Sequence, residues 1–228
     1  MFGGFGGYLI YVALLLLIPM WASARVKSTY KKYMKVPTSS YMTGVQVARR
    51  ILDENSLYDV TIEETKGMLS DHYDPRKKVV RLSSDNYHGH SMAASAVAAH
   101  EVGHAIQDAE NYAFLRFRSA LVPAANFGSN FGMIFILIGF VIGMSQLYLL
   151  GIVLFAAAVL FQLVTLPVEF DASNRAMAQL VSSGVIRNNE ERKTKKVLNA
   201  AAMTYVAAAL VALAELLRFI LMFVASDE

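Results

Sequence analysis

The chain has 228 residues, of which 55% are hydrophobic and 17% are charged, and its formal net charge is +3. A mean hydropathy of +0.40 argues against an ordinary soluble domain. The sequence contains no cysteine, which excludes disulfide bonds, thiolate metal sites and a thiol nucleophile.

The first apolar segment lies within residues 1–24. Residues 5–24 carry no charge and are long enough to cross a bilayer as a helix. Ala22-Ser23-Ala24 resembles a signal-peptidase site, but no Lys or Arg precedes the apolar run and several follow it, which reverses the charge order of a signal peptide. We therefore expect residues 1–24 to form a retained transmembrane helix with its N-terminus outside.

Residues 25–120 have the pattern of a small water-facing α+β segment. Apolar residues at helical spacing predict a helix over 42–55. Alternating residues predict strands over 58–62 and 78–83, with a turn at 71–75 between them. An exposed edge strand of such a sheet can pair with an extended peptide.

The most informative stretch is a helix predicted over 91–112, with Ser91 as its N-cap. It carries His100-Glu101-Val102-Gly103-His104, the pattern H-E-x-x-H. Positions i and i+4 lie on one face of a helix, so the two imidazoles can bind one Zn²⁺. Glu101 points about 100° round the helix, where it can act as general base towards a water molecule.

A chance match to this pattern would occur in on the order of one chain in a few hundred, and the strongly helical context lowers that frequency further. Gly103 costs about 1 kcal/mol relative to Ala in the middle of a helix. We therefore expect a close contact at this glycine.

Three further segments complete the chain. Residues 121–166 predict a transmembrane hairpin, with spans over 122–144 and 147–166. Residues 167–198 form a polar segment, and residues 199–224 predict a fourth span. Glu215 and Arg218 lie three residues apart inside that span and are expected to form an ion pair, because isolated charges there are costly.

The basic residues predict the orientation. Twenty of the 21 Lys and Arg residues lie in 25–118 and 175–196, so the positive-inside rule places both polar segments in the cytoplasm. A basic surface beside a membrane indicates attraction to anionic lipid and not binding to nucleic acid.

A catalytic zinc site needs a third protein ligand, and the polar segment 167–198 is the expected source. Glu169 and Asp171 follow the third span directly. On a helix they diverge by about 200°, so only one of them can face the metal. The longer side chain favours Glu169, and Asp171 remains the alternative.

Four stretches carry a resemblance to a known family: HYDPRKKVVRLS at 72–83, AAHEVGHAIQ at 98–107, VPAANFGS at 122–129 and VEFDAS at 168–173. With them the chain resembles the YugP-like family of membrane-bound neutral zinc metallopeptidases. It is also similar in layout to the HtpX-type and CAAX-prenyl gluzincin proteases, which share H-E-x-x-H and a later E-F-x-A-D. That resemblance implies Glu169 as a zinc ligand. It ends at Ser173, where the related proteases have Asp, so the residue that orients a zinc histidine is unassigned among Asp171, Asp108 and Ser173.

The resulting expectation is a mainly α integral membrane protein with about four transmembrane helices and a small α+β gluzincin-like catalytic domain. The resemblance implies a zinc endopeptidase with one Zn²⁺ per chain, held by His100, His104 and Glu169, with Glu101 as general base. The expected partners are the lipid bilayer and a protein or peptide substrate in or near the membrane, and not nucleic acid.

Three alternatives stay open: an intramembrane metalloprotease, a non-enzymatic zinc-binding scaffold, and a metal transporter. For the enzyme, Arg175 and His88 are candidates for stabilising the oxyanion.

Overall fold

The computed structural model describes residues 4–226, and this part of the chain is mostly helical with one small sheet. The four long helices are α1 (Phe5–Tyr33), α5 (Ala113–Ile142), α6 (Ser145–Ser182) and α7 (Asn188–Ser226). The shorter elements are α2 (Gly44–Glu54), β1 (Thr61–Thr65), β2 (His72–Asp74), β3 (Val79–Ser83), α3 (Ser84–His88) and α4 (Met92–Ala109).

The four long helices are long and apolar enough to cross a membrane, which confirms the prediction of a mainly α membrane protein with four spans. Each helix extends beyond the apolar run that predicted it. In α6 the helix continues through Pro167, because Ala172, Ala176 and Leu180 keep the helical period and are fully buried. The apolar run thus marks the part of the helix that can lie in the hydrocarbon core of a bilayer, and the helix itself extends further.

The described chain divides into two compact units, and the division falls within the long helices. The span unit comprises the residues up to 21, residues 116–167 and the residues from 204 onward. The sheet unit comprises residues 22–115 and 168–203.

In the span unit, α5 and α6 pack backbone to backbone. A Cβ added to Gly128 would lie 2.1 Å from the carbonyl oxygen of Leu154, so only glycine permits this approach. The predicted ion pair of α7 is present, with Arg218 Nη2 2.6 Å from Glu215 Oε2. The hydroxyl of Tyr11 donates to Glu215 Oε1 at 2.8 Å, which further offsets the cost of the buried charge.

The sheet of the sheet unit has the strand order β1-β3-β2, with β1 parallel and β2 antiparallel to β3. The predicted turn at 71–75 is wrong, because residues 72–74 form β2. Three residues are too few to show the alternating pattern by which a strand is predicted. The first strand begins three residues later than the predicted 58–62. It pairs in register from Thr61 opposite Val79 to Thr65 opposite Ser83.

Helix α4 runs through the core of the sheet unit. Its predicted N-cap is confirmed, since Ser91 Oγ accepts from the backbone N–H of Ala94 at 3.1 Å. The helix is almost entirely buried, and its small side chains let neighbouring elements approach closely. The alanines that provide this are Ala93, Ala94, Ala96, Ala98, Ala99 and Ala105.

Candidate metal centre

Two histidines lie one turn apart on one face of α4. The ring centroids of His100 and His104 are 4.8 Å apart, and the two side chains are 14% and 12% exposed. The i, i+4 spacing produces this arrangement directly, because it brings side chains to the same face of a helix.

Helix α6 brings Glu169 to this face of α4. Glu169 Oε2 lies 3.3 Å from His100 Nε2, and Glu169 Oε1 lies 3.8 Å from His104 Nε2. Of the residues in 4–226, these three form the group of His, Asp and Glu side chains that could hold a metal ion, with one ligand atom from each within 4.8 Å of the others.

The donor set fits Zn²⁺. Two imidazole nitrogens and one carboxylate oxygen are typical ligands of catalytic zinc. In a tetrahedral site with bonds of about 2.0–2.1 Å, neighbouring ligand atoms lie about 3.3 Å apart. The ligand atoms of the three residues lie within 4.8 Å of one another, so small side-chain movements would bring them to that spacing. Three protein ligands also leave one position open.

Asp171, the alternative candidate, does not join this group. Its Oδ2 accepts from Arg175 Nε at 2.5 Å and from Gln107 Nε2 at 2.7 Å. Arg175 Nη1 in turn lies 2.6 Å from Glu110 Oε2. The side chains of Glu169 and Asp171 thus diverge on α6, as the helical geometry requires.

A fully buried glutamine orients His104. Gln107 Nε2 donates to the carbonyl oxygen of Val168 at 2.8 Å and to Asp171 Oδ2 at 2.7 Å. Because both partners are acceptors, the amide oxygen must face His104, whose Nδ1 therefore donates to it at 3.0 Å. The proton on Nδ1 leaves the lone pair of Nε2 available to a metal.

Ser173 contacts His100 at Nδ1, the ring atom at which Gln107 contacts His104. Its Oγ lies 3.2 Å from His100 Nδ1, so of the three candidates for orienting a histidine it is Ser173 that makes the contact. Asp108 instead accepts from the hydroxyl of Tyr73 at 3.0 Å. Gln107 was missed in the sequence, although its position three residues after His104 places it beside that histidine on the helix.

The carboxylate of Glu101 is buried next to the edge of the sheet. Burial raises the pKa of Glu101 to about 7, the charge of Asp71 adds to this, and His100 and a backbone hydrogen bond from Tyr73 oppose it. Tyr73 belongs to β2, so the sheet contacts Glu101 directly. Burial would lower the pKa of His100, but the hydrogen bond to Glu169 and the charges of Glu101 and Glu169 outweigh it and raise that pKa.

The two oxyanion candidates make other contacts. His88 is exposed, with Nε2 3.3 Å from Glu64 Oε2. The guanidinium of Arg175 is engaged by Asp171 and Glu110. Neither residue belongs to the group of His100, His104 and Glu169.

Gly103 lets α6 approach α4. A Cβ at Gly103 would lie 2.6 Å from the carbonyl oxygen and 3.2 Å from the carbonyl carbon of Ala172. The close contact expected at this glycine is therefore present, and its partner is the α6 backbone one turn after Glu169.

Gly103→Ala should lower the affinity for zinc and the thermal stability. The new methyl group forces α6 away from α4 and carries Glu169 with it, although alanine is about 1 kcal/mol better than glycine inside an exposed helix. Chelator competition and thermal unfolding measure the two effects. Gly6→Ala is the control, since its added Cβ would lie within 4 Å of no atom beyond its chain neighbours and the nearby backbone of its own helix. Wild-type zinc affinity combined with raised stability in Gly103→Ala would contradict the role of this contact.

The comparisons with known proteins identify a family and a relative. The family described as "Putative neutral zinc metallopeptidase" matches residues 8–224. The chain is 55% identical over 206 residues to the "Putative membrane protease YugP" of Bacillus subtilis (strain 168), which covers 90% of this chain and 92% of the relative. No solved structure gives a significant match. The extent of the family match and the identity to this relative show that the chain belongs to the neutral zinc metallopeptidase family, as a multi-pass membrane protein.

Proposed function

We propose that the chain is a zinc-dependent endopeptidase that hydrolyses peptide bonds of membrane or membrane-proximal proteins. The observation that carries the proposal is the convergence of His100, His104 and Glu169, with Glu101 buried beside them. These residues would hold one Zn²⁺ per chain.

Zinc, when bound, lowers the pKa of a water molecule and polarises the carbonyl group to be attacked. In the proposed mechanism, Glu101 accepts a proton from the attacking water and delivers it to the leaving amine. Burial raises the pKa of the Glu101 carboxyl group, and a raised pKa makes its carboxylate a stronger proton acceptor. The histidine side chains are fixed during these steps by Gln107 and Ser173.

Strand β2 is the proposed binding edge for substrate. It lies at the edge of the sheet, paired with β3 on one side, and its residue Tyr73 contacts Glu101 through the backbone. An extended segment added to this edge would be held by main-chain hydrogen bonds, largely independent of its side chains. We infer that β2 presents an unfolded or extended stretch of a protein to the metal.

We place the active site at the cytoplasmic face of the membrane. His100 and His104 belong to one basic polar segment and Glu169 opens the other, so their proximity requires both segments to lie on the same side. The positive-inside rule makes that side the cytoplasm. Helix α4, which carries both histidines, is not among the candidate spans found within residues 4–226, and this favours a surface site over an intramembrane one.

Glu101→Gln tests the enzymatic proposal most directly. The purified variant should keep about one zinc per chain and lose roughly 10²–10⁴-fold in cleavage rate, because general acid–base catalysis contributes about that much. Cleavage of an unfolded, quenched fluorescent protein substrate in detergent measures the rate, and elemental analysis measures the zinc.

Glu54→Gln is the matched control for that experiment, since Glu54 is exposed at the end of α2 and should leave both quantities unchanged. Equal cleavage by Glu101→Gln and wild type would refute the mechanism. A zinc-loaded wild type that cleaves none of a diverse substrate set would favour the scaffold or the transporter.

The isosteric pair Glu169→Gln and Asp171→Asn tests the third ligand. Glu169→Gln should lose most of the zinc, because a carboxylate ligand is removed. Asp171→Asn should retain substantial zinc and weaken its affinity by about 10–100-fold at most, because Asp171 acts through Gln107. Zinc content after dialysis against a weak chelator distinguishes the variants. The reverse order of zinc loss would assign the metal to Asp171.

Single cysteines can test the topology without background labelling, because the sequence has none of its own. Cysteines replacing Met68 and Asn188 should react with an impermeant maleimide only from the cytoplasmic side. A cysteine replacing Gln146 should react only from outside. All three positions are exposed. Labelling of positions 68 and 188 from opposite sides would contradict the proposed location of the site.

A further inference from the structure

A second concave site lies in the sheet unit between α1 and α7. Its cavity volume is about 320 Å³. Three cationic residues line it, Arg25 and Lys32 from α1 and Lys196 from α7. Within the described chain, none of its lining residues is acidic, so the charged side chains of the lining are all cationic.

The remaining lining residues divide by polarity. Thr29, Tyr33 and Asn199 can donate hydrogen bonds to an anion. Ala200 and Met203, further along α7, add apolar surface. Lys32 lies beside the ring of Tyr33, with Nζ 5.7 Å from the ring centroid, which restrains its flexible side chain. The pocket thus combines positively charged side chains, hydrogen-bond donors and an apolar surface.

The positions of these residues in the sequence place the pocket at the membrane surface. Arg25 is the first charge after the uncharged run of residues 5–24, and Asn199 opens the fourth apolar run. Arg25 and Lys32 are seven residues apart, as are Lys196 and Met203, which corresponds to about 10 Å along each helix. The pocket therefore extends over the depth occupied by lipid headgroups.

We propose that this pocket binds the phosphodiester headgroup of an anionic phospholipid. The phosphate oxygens accept from Lys32, Lys196 and the neighbouring polar side chains, and the glycerol end of the lipid contacts Ala200 and Met203. Basic pockets between membrane helices on the cytoplasmic side recognise lipids through these interactions. The site is separate from the metal ligands, and the proposal does not depend on the peptidase activity.

Lipid retention by the purified full-length protein tests the proposal. Native mass spectrometry in a mild detergent, with added phosphatidylglycerol, should show one lipid retained per wild-type chain at low lipid excess. Lys32→Gln combined with Lys196→Gln should weaken this binding about 25-fold, since each cation near an anionic headgroup contributes roughly a factor of five. Lys32→Arg combined with Lys196→Arg should restore it.

A charge-matched control separates a defined site from general attraction. Lys31→Gln combined with Lys193→Gln removes two exposed cations from the same helices, outside the pocket lining, and should retain the lipid. Equal loss in this control would refute a defined pocket. Equal retention of phosphatidylcholine would refute recognition of an anionic headgroup, and displacement of the lipid by millimolar inorganic phosphate would assign the pocket to a free anion.

Discussion

The close approach of α6 to α4 is the constraint on which the candidate metal centre depends. On α4 the relevant face contains His100, Gly103, His104 and Gln107, and on α6 it contains Glu169, Ala172 and Ser173. The absent side chain at Gly103 lets the carbonyl of Ala172 contact the α4 backbone. Glu169, one turn before Ala172, then lies at Nε2 of the His100 ring, and Ser173, the residue after Ala172, lies at Nδ1 of the same ring.

The packing of α6 on α4 buries Gln107, and the hydrogen bonds that satisfy its amide fix the protonation of His104. Gln107 is completely buried, a costly position for an amide, but it makes three hydrogen bonds. Its orientation is set by Val168 and Asp171, and it in turn sets the tautomer of His104. The ion pairs of Arg175 with Asp171 and Glu110 extend this network towards solvent. The metal-binding form of the histidine is therefore a consequence of packing and not of the histidine alone.

Much of this arrangement could be predicted because it follows from helical periodicity. The spacing of His100 and His104 and the divergence of Glu169 from Asp171 are properties of the helical period. The four apolar helices follow from uncharged length, and the contact at Gly103 follows from the cost of glycine inside a helix. Strand β2 could not be predicted, since three residues between Asp71 and Pro75 carry too little pattern and owe their conformation to pairing with β3. The partners of the histidines depend on two helices meeting, which the spacing within either helix does not specify.

The contact between Glu101 and β2 links the small sheet to the proposed chemistry. Glu101 points about 100° away from His100 on α4, so it leaves the face used by α6 and turns towards another neighbour. That neighbour is Tyr73, whose backbone N–H partly offsets the rise in pKa that burial causes. Because the same strand lies at the sheet edge, a peptide paired with it would run past the carboxylate that is proposed to move the proton. Helix α6 therefore accounts for the position of Glu169 beside the two histidines, and β2 accounts for the environment of the proposed base and for the proposed path of the substrate.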